Sequence, residues 1–216
     1  MGRMASSFRT KARIAASVLL ATGFFDAIAG RFIYRPGVGV SDDPDRPPKE
    51  PSAAAWIDLT GALQRVTSRD DYPIRVAASF FAQGSDPRVG IERVRAHRDL
   101  GNDRLRYGAV KLITDGSIQG FTARLRWPGY YGGQPNGIWN IAPTQLNDLV
   151  AAYHAAGLQL NVHVNGDEAT DVALDAFERA LTLHPRPDHR HTLHHCQLAD
   201  AAQFRRMRAL DMCVNL

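Results

Sequence analysis

Two cysteines, Cys196 and Cys213, are the only ones in this 216-residue chain. They fall on separate expected strands without Cys-x-x-Cys or zinc-finger spacing. That excludes a disulfide framework and a cysteine-based zinc site, and it points to reduced, buried thiols in a reducing compartment. Long apolar runs are also lacking. The longest mostly apolar stretch, Ile14 to Phe25, falls short of the roughly 20 residues that cross a bilayer, so no membrane partner is expected. No Gly-x-Gly-x-x-Gly or Walker-type loop follows any expected strand, which argues against a small nucleotide-binding α/β module. Strong charge is missing too: 26 Lys and Arg against 22 Asp and Glu leave a formal net charge of +4. Part of that excess is local, since Arg3, Arg9, Lys11 and Arg13 all precede the first acidic residue, Asp26. Nucleic acid is therefore not an expected partner.

At 44% hydrophobic residues the chain can bury a core. Its first 52 residues read as an appendage. Four basic residues lead into the apolar stretch and then into Ala27-Ile28-Ala29, which has the form of a signal-peptide cleavage site. The two readings are an exported chain and a buried helix of a cytoplasmic protein; the cytoplasmic one is preferred. Pro36 to Ser52, with Asp42, Asp43, Asp45, Pro47 and Pro48 close together, reads as a linker. Residues 53–216 then form the folded domain.

Within that domain, helices are expected over Ala53–Val66, Pro87–Leu100, Thr144–Ala156 with Thr144 as its cap, up to about Leu183, and Asp200–Leu210. Strands are expected over Ile74–Phe80, Gly108–Thr114, Leu158–Val164, His191–Cys196 and Met212–Leu216. Leu158, Leu160, Val162 and Val164 alternate with Gln159, Asn161 and His163, the period of a strand with two unlike faces; a turn at Asn165-Gly166 and helical spacing follow. The order βαβαβαβαβ implies parallel strands with right-handed crossovers. About five strands are countable, whereas a complete eight-stranded (β/α)8 barrel occupies about 250 residues. The fold class is therefore α/β, a partial TIM-like barrel.

Ligands gather at the C-terminal ends of such strands. Three chemically suited side chains stand there: Lys111 in Val-Lys-Leu-Ile-Thr-Asp-Gly-Ser, His163 in Asn-Val-His-Val-Asn-Gly-Asp, and His195 in Thr-Leu-His-His-Cys-Gln. Neutral imidazoles are the commonest zinc ligands, and two on neighbouring strands can converge on one ion. Taken singly, each histidine reads more readily as a hydrogen-bonded core or rim residue, and Lys111 as a snorkelling or ion-paired one. Asp115 either faces the site or makes an Asp-Gly turn; Asp167 reads as a helix N-cap. Alternation sends His194 to the face opposite His195, so at most one of them serves the site, and Cys196 reads as packing. The long Arg124–Trp139 loop either lines a pocket or packs its aromatics on the rim, and Arg124 and Arg126 either receive an anionic group or face solvent.

The succession Val-Lys-x-x-x-Asp-Gly-Ser, His-x-x-Gly-Asp-x-Ala and Arg-His-x-x-x-His-x-Gln resembles the amidohydrolase family 3 branch of the metal-dependent amidohydrolases, from about Tyr72 to Leu216. The resemblance implies a distorted barrel that hydrolyses amide or related C–N bonds with one or two divalent metal ions, zinc the expected one. It makes His163 and His195 the metal ligands of the fifth and sixth barrel strands, and Lys111 the fourth-strand lysine that some members carboxylate to bridge two ions. The family's first-strand His-x-His pair occurs nowhere in the chain, the final-strand aspartate would lie past Leu216, and His194 replaces a frequent Glu. The expectation is a hydrolase of small-molecule amides or N-acyl compounds, weakly active or inactive alone, with Lys111 and Asp115 as catalytic candidates. The alternative is a noncatalytic barrel fragment or split subunit that self-associates or meets a complementing chain.

Overall fold

Alternation decides the sheet and helical spacing decides what covers it. The structure, a computed structural model, describes residues 15–20 and 53–216 apart from 83 and 85. The expected linker at Pro36–Ser52 and the signal-like Ala27–Ala29 lie outside the described residues. In chain order the elements are β1 Ala15–Leu20, α1 Ala53–Thr67, β2 Arg75–Phe81, α2 Pro87–Arg98, β3 Leu105–Ile113, α3 Pro143–Ala155, β4 Gln159–Val164, α4 Asp167–Leu183, β5 Thr192–His195, α5 Ala201–Ala209 and β6 Cys213–Asn215. The six strands form one sheet in the order β1 to β6, and every neighbouring pair is parallel. The five expected strands are all present.

The sixth is a correction. Where a helix was expected within Ile14–Phe25, Ala15–Leu20 forms an edge strand in register with Arg75–Phe80 of β2. Its mostly apolar residues suit a sheet as well as a helix, and pairing decides between them. The segment assigned to the appendage thus contributes to the sheet. Among the described residues no helix is long and apolar enough to cross a membrane.

One face of the sheet carries the apolar core. Val76, Ala78 and Phe80 of β2, Val110 and Leu112 of β3, Leu160, Val162 and Val164 of β4 and Leu193 of β5 are buried there with Val94 of α2, Leu149 and Tyr153 of α3, Phe177 of α4 and Met207 of α5. Each large side chain so buried contributes about 1.5–3 kcal/mol. The opposite face, which in a barrel points inward, is set by register: Lys111 pairs with Asn161, Ile113 with His163, and His163 with His194. It is a polar face, and Asn161 Nδ2 donates to Ser79 Oγ at 2.7 Å. The parity is preserved across β2 and β3 by a bulge, in which Ala78 pairs with Tyr107 and Ser79 with Ala109, passing over Gly108.

Helix ends follow local chemistry. α3 begins at Ala142-Pro143 without a side-chain cap, so Thr144 is not its cap. It stops at Gly157 (φ +79), whose N–H donates to His154 O at 2.9 Å while Leu158 N–H donates to Tyr153 O at 3.0 Å. Asp200 caps α5 in a reciprocal arrangement with Gln203. Asp167 is the first residue of α4 and Gly166 its cap, which corrects the N-cap assignment. Of the cysteines Cys196 is buried but Cys213, on edge strand β6, is exposed; both are free thiols.

At the N-terminal end of the sheet a chain of histidines joins the αβ connections. Leu160 N–H donates to His191 Nδ1 at 3.1 Å. The His191 proton therefore sits on Nε2, which donates to His154 Nδ1 at 2.9 Å, and His154 Nε2 donates to His184 O at 2.7 Å. His189 accepts from His191 N–H at 3.0 Å and donates to Leu210 O at 2.8 Å. These partners fix three neutral tautomers.

Candidate active site

At the C-terminal end of β3, β4 and β5 the inward face gathers its polar groups. His163 ends β4 on that face, and its ring centroid lies 4.7 Å from that of His195 in an edge-to-face contact. Lys111 Nζ donates to His194 Nδ1 at 2.7 Å. The expectation that His194 and His195 serve opposite faces is corrected. His194 holds the inward parity, whereas His195 and Cys196 adopt left-handed backbone, with φ of +77 and +47, and break the alternation as the strand ends. Two consecutive non-glycine residues in that region cost about 1–3 kcal/mol each. Cys196 N–H donating to Val164 O at 2.8 Å and Leu198 N–H to Asn165 O at 3.1 Å hold the turn closed. Neither residue type announces such a turn, which is why alternation misled.

Burial sets the protonation states. It pushes His163 down to about 4, with Lys111 adding to the effect and hydrogen bonds opposing it. His194 and His195 are likewise pushed to about 4, by burial first and then by neighbouring charges. All three imidazoles are neutral at pH 7, with a lone pair to offer. Lys111, 5% exposed and with no carboxylate bonded to it among the described residues, is pushed down to about 7 by burial.

Asp115 is fully buried immediately after β3. Its carboxylate accepts from three backbone N–H groups: Asn165 at 3.0 Å, Gly166 at 2.8 Å and Arg124 at 3.0 Å. Burial nevertheless raises its pKa, the hydrogen bonds opposing. Its Oδ1 lies 3.6 Å from His163 Nε2, which itself lies 3.0 Å from Gly116 O. Asp115 thus ties the end of β3, the start of the long loop and the β4–α4 turn around His163. Two buried oxygens nearby in sequence, Thr114 Oγ1 and Asn165 Oδ1, have no hydrogen-bond partner.

The Arg124–Trp139 loop is fastened down. Arg124 pairs with Glu168 at 2.9 Å and lies 5.0 Å over the Trp139 ring. Arg126 is held between Asp171 at 2.6 Å and Asp200 at 2.7 Å. Asp167 Oδ1 accepts from Arg126 N–H at 2.9 Å. Both arginines are engaged in ion pairs with α4 and the α5 cap, Arg124 half-buried and Arg126 still exposed to solvent. A Cβ on Gly166 would collide with the Arg124 carbonyl, so only glycine lets the loop lie this close. Trp127 and Tyr131, by contrast, are fully exposed, whereas Tyr130 donates to Ala123 O at 3.0 Å.

A parallel sheet covered by crossover helices, with imidazoles and a desolvated lysine at the strand ends, is the arrangement of part of a (β/α) barrel. The chain belongs to the Amidohydrolase family, whose model matches residues 56–216. It is similar to the putative amidohydrolase YtcJ of Bacillus subtilis (strain 168), with 26% identity over 156 residues, 72% of this chain and 28% of that protein. It is also similar to the protein LONG AFTER FAR-RED 3 of Arabidopsis thaliana, 32% identical over 91 residues, 42% of this chain and 15% of that one. Among solved structures, an uncharacterized metal-dependent hydrolase from Pyrococcus furiosus superimposes with a TM-score of 0.55 and 25% identity, covering 74% of this chain and 31% of that one. One from Pyrococcus horikoshii OT3 gives 0.55 and 27%, covering 74% and 30%. The chain therefore spans less than a third of the length of these relatives.

Two neutral imidazoles whose rings touch suit a divalent ion. Among the described residues, however, no group of three or more His, Cys, Asp or Glu side chains is placed to hold it. The residues present fit part of a metal shell.

Proposed function

We propose that this chain supplies the middle of a metal-dependent hydrolase site acting on non-peptide C–N bonds of small amide or N-acyl substrates, in a cytoplasmic setting. The observation that carries the reading is the contact of the His163 and His195 rings, 4.7 Å between centroids, at the ends of adjacent parallel strands. His163 and His195 would hold the ion, zinc by the chemistry of the donors, and it would supply Lewis-acid polarisation of a carbonyl and activation of water. The chain's own residues do the rest. Burial keeps both imidazoles unprotonated. Asp115 fixes the His163 turn and, fully occupied by backbone N–H groups, acts by positioning. Lys111, pushed down to about 7 and so neutral in about half the molecules at pH 7, has the nucleophilic amine that carboxylation requires, and its hydrogen bond to His194 keeps that amine at the site.

Two imidazoles and one amine give fewer protein donors than the three that catalytic zinc sites commonly use. The 216-residue chain by itself is therefore a weak or inactive hydrolase. A second reading, a noncatalytic barrel segment that completes or partners another chain, is favoured by the open sheet, since β1 and β6 each pair on one side only among the described residues. The test is metal content by mass spectrometry and turnover of N-acyl substrates with added zinc or manganese, for the parent, His163→Ala and His195→Ala. Weak metal uptake that falls in both variants, with little turnover, is expected. Absence of metal in the parent supports the partner-domain reading, and robust turnover abolished by both substitutions refutes weak activity.

A further inference from the structure

The end of the sheet opposite the candidate site is strongly basic. A cavity of about 440 Å³ opens there between the αβ connections, lined by Arg98, Arg106, Arg186, Arg190 and His189 against a single carboxylate, Asp188. A second cavity, of about 540 Å³, shares Arg98 and Arg106 and adds Arg75 and Arg104 against Asp103. Six guanidinium groups therefore meet two carboxylates around adjoining space.

Several of these cations have no direct carboxylate partner among the described residues. The Arg98 and Arg106 side chains form no hydrogen bond or salt bridge with any described residue, although the charge of Asp188 reaches Arg106. Arg186 spends Nη1 and Nη2 on the carbonyls of His154 (3.0 Å) and Leu158 (2.8 Å), and its buried Nε has no partner. No carboxylate offsets it, and burial lowers its pKa accordingly. Arg104 likewise spends Nη1 and Nη2 on the carbonyls of Arg69 and Asp70. Arg190 pairs directly with Asp188 at 2.7 Å. Arg104 and Arg186, partly buried, spend their guanidinium groups on backbone carbonyls, whereas Arg98 and Arg106 are exposed and keep their forks free for an anion.

We propose that this N-terminal face is a binding site for a small phosphorylated anion carrying two or more negative charges, with Arg98 and Arg106 as its principal donors. Guanidinium forks match phosphate oxygens two at a time. The volumes lie within the range of about 300–1,000 Å³ typical of small-molecule sites, which favours a compact ligand over a nucleic acid, whose backbone needs an extended basic stripe. The site lies at the strand N-termini, whereas Lys111, His163 and His195 lie at the C-termini, so the proposal stands whether or not those residues take a metal.

The test uses the full chain and inorganic pyrophosphate, titrated by calorimetry at low and high sodium chloride, with sulfate at matched ionic strength as the comparison anion. Arg98→Gln/Arg106→Gln removes two exposed side chains and should leave the fold intact by circular dichroism. Arg179→Gln, on the exposed surface of α4, is the control. Saturable pyrophosphate binding is expected, tighter than sulfate, weakened about tenfold or more in the double variant and unchanged in the control. No binding by the parent, or an equal loss in Arg179→Gln, overturns the proposal.

Discussion

Protonating His191 should unlatch the N-terminal end of the fold. The residue is completely buried and its ring is neutral: Nδ1 accepts from Leu160 N–H and Nε2 faces His154 Nδ1, with Phe177, His189 and the positive Arg186 guanidinium packed about it. Its pKa is pushed down to about 2, by burial first and then by His189, Arg186 and His154. An unfolded histidine titrates near 6.5. The folded chain therefore binds fewer protons than the unfolded one below that pH, and the stabilisation present above 6.5 is lost as pH falls toward the folded value. Between pH 7.5 and 5.5 the loss from this one group is about 1.4 kcal/mol, a sizeable part of a typical stability of about 5–15 kcal/mol. Urea unfolding followed by circular dichroism should show the midpoint falling by about 0.7 M over that interval on account of His191. His191→Gln, which does not titrate, should be less stable at pH 7.5 but less sensitive to pH by about 1.4 kcal/mol. Equal pH dependence in the two proteins would refute the reasoning, since the imidazole would then be reaching its proton without breaking the chain.

Other expectations follow from the same contacts. Asp115→Asn, which turns a triply bonded carboxylate into an amide with one acceptor oxygen, should cost about 2–3 kcal/mol in a denaturation experiment; a change under about 0.5 kcal/mol would contradict the clamp. Phe177→Ala should cost about 3–5 kcal/mol, measured in the same way, because the ring is fully buried among α4, α3 and the sheet. Lys111→Met should stabilise the chain at pH 6 and much less at pH 10. The folded lysine titrates near 7 and the unfolded one near 10.4, so burial penalises the parent increasingly as pH falls between those values. Parallel stability curves for Lys111→Met and the parent over that range would show that the ammonium finds its own compensation.

Much of this arrangement is visible in the residues. Alternation at Gln159–Val164 and the Asn165-Gly166 turn place His163 on the inward face at a strand end, as the sheet register does. The edge strand Ala15–Leu20 escapes because an apolar run has no period of its own, and only pairing with β2 selects the extended form. His194 and His195 escape for a different reason: a strand's period holds only while its backbone stays extended, and two left-handed residues end it inside the motif. The fate of Arg124 and Arg126 depends on Glu168, Asp171 and Asp200, carboxylates some 40 to 75 positions away, so local reading leaves them facing solvent or substrate. The histidine latch combines residues from α3 and the connection before β5, and no spacing rule brings His154 to His191.

The anchoring of the Arg124–Trp139 loop bears on how molecules reach the candidate site. A loop beside a site is commonly a door, opening on the microsecond to millisecond scale and setting the pace of release. This one is bolted: Asp115 takes the Arg124 amide, Asp167 the Arg126 amide, Asn136 the Leu125 amide at 2.9 Å, and two arginine side chains grip α4 and α5. Traffic to His163 and His195 therefore does not wait on this segment, and the three amides should exchange with deuterium as slowly as those of the central strands.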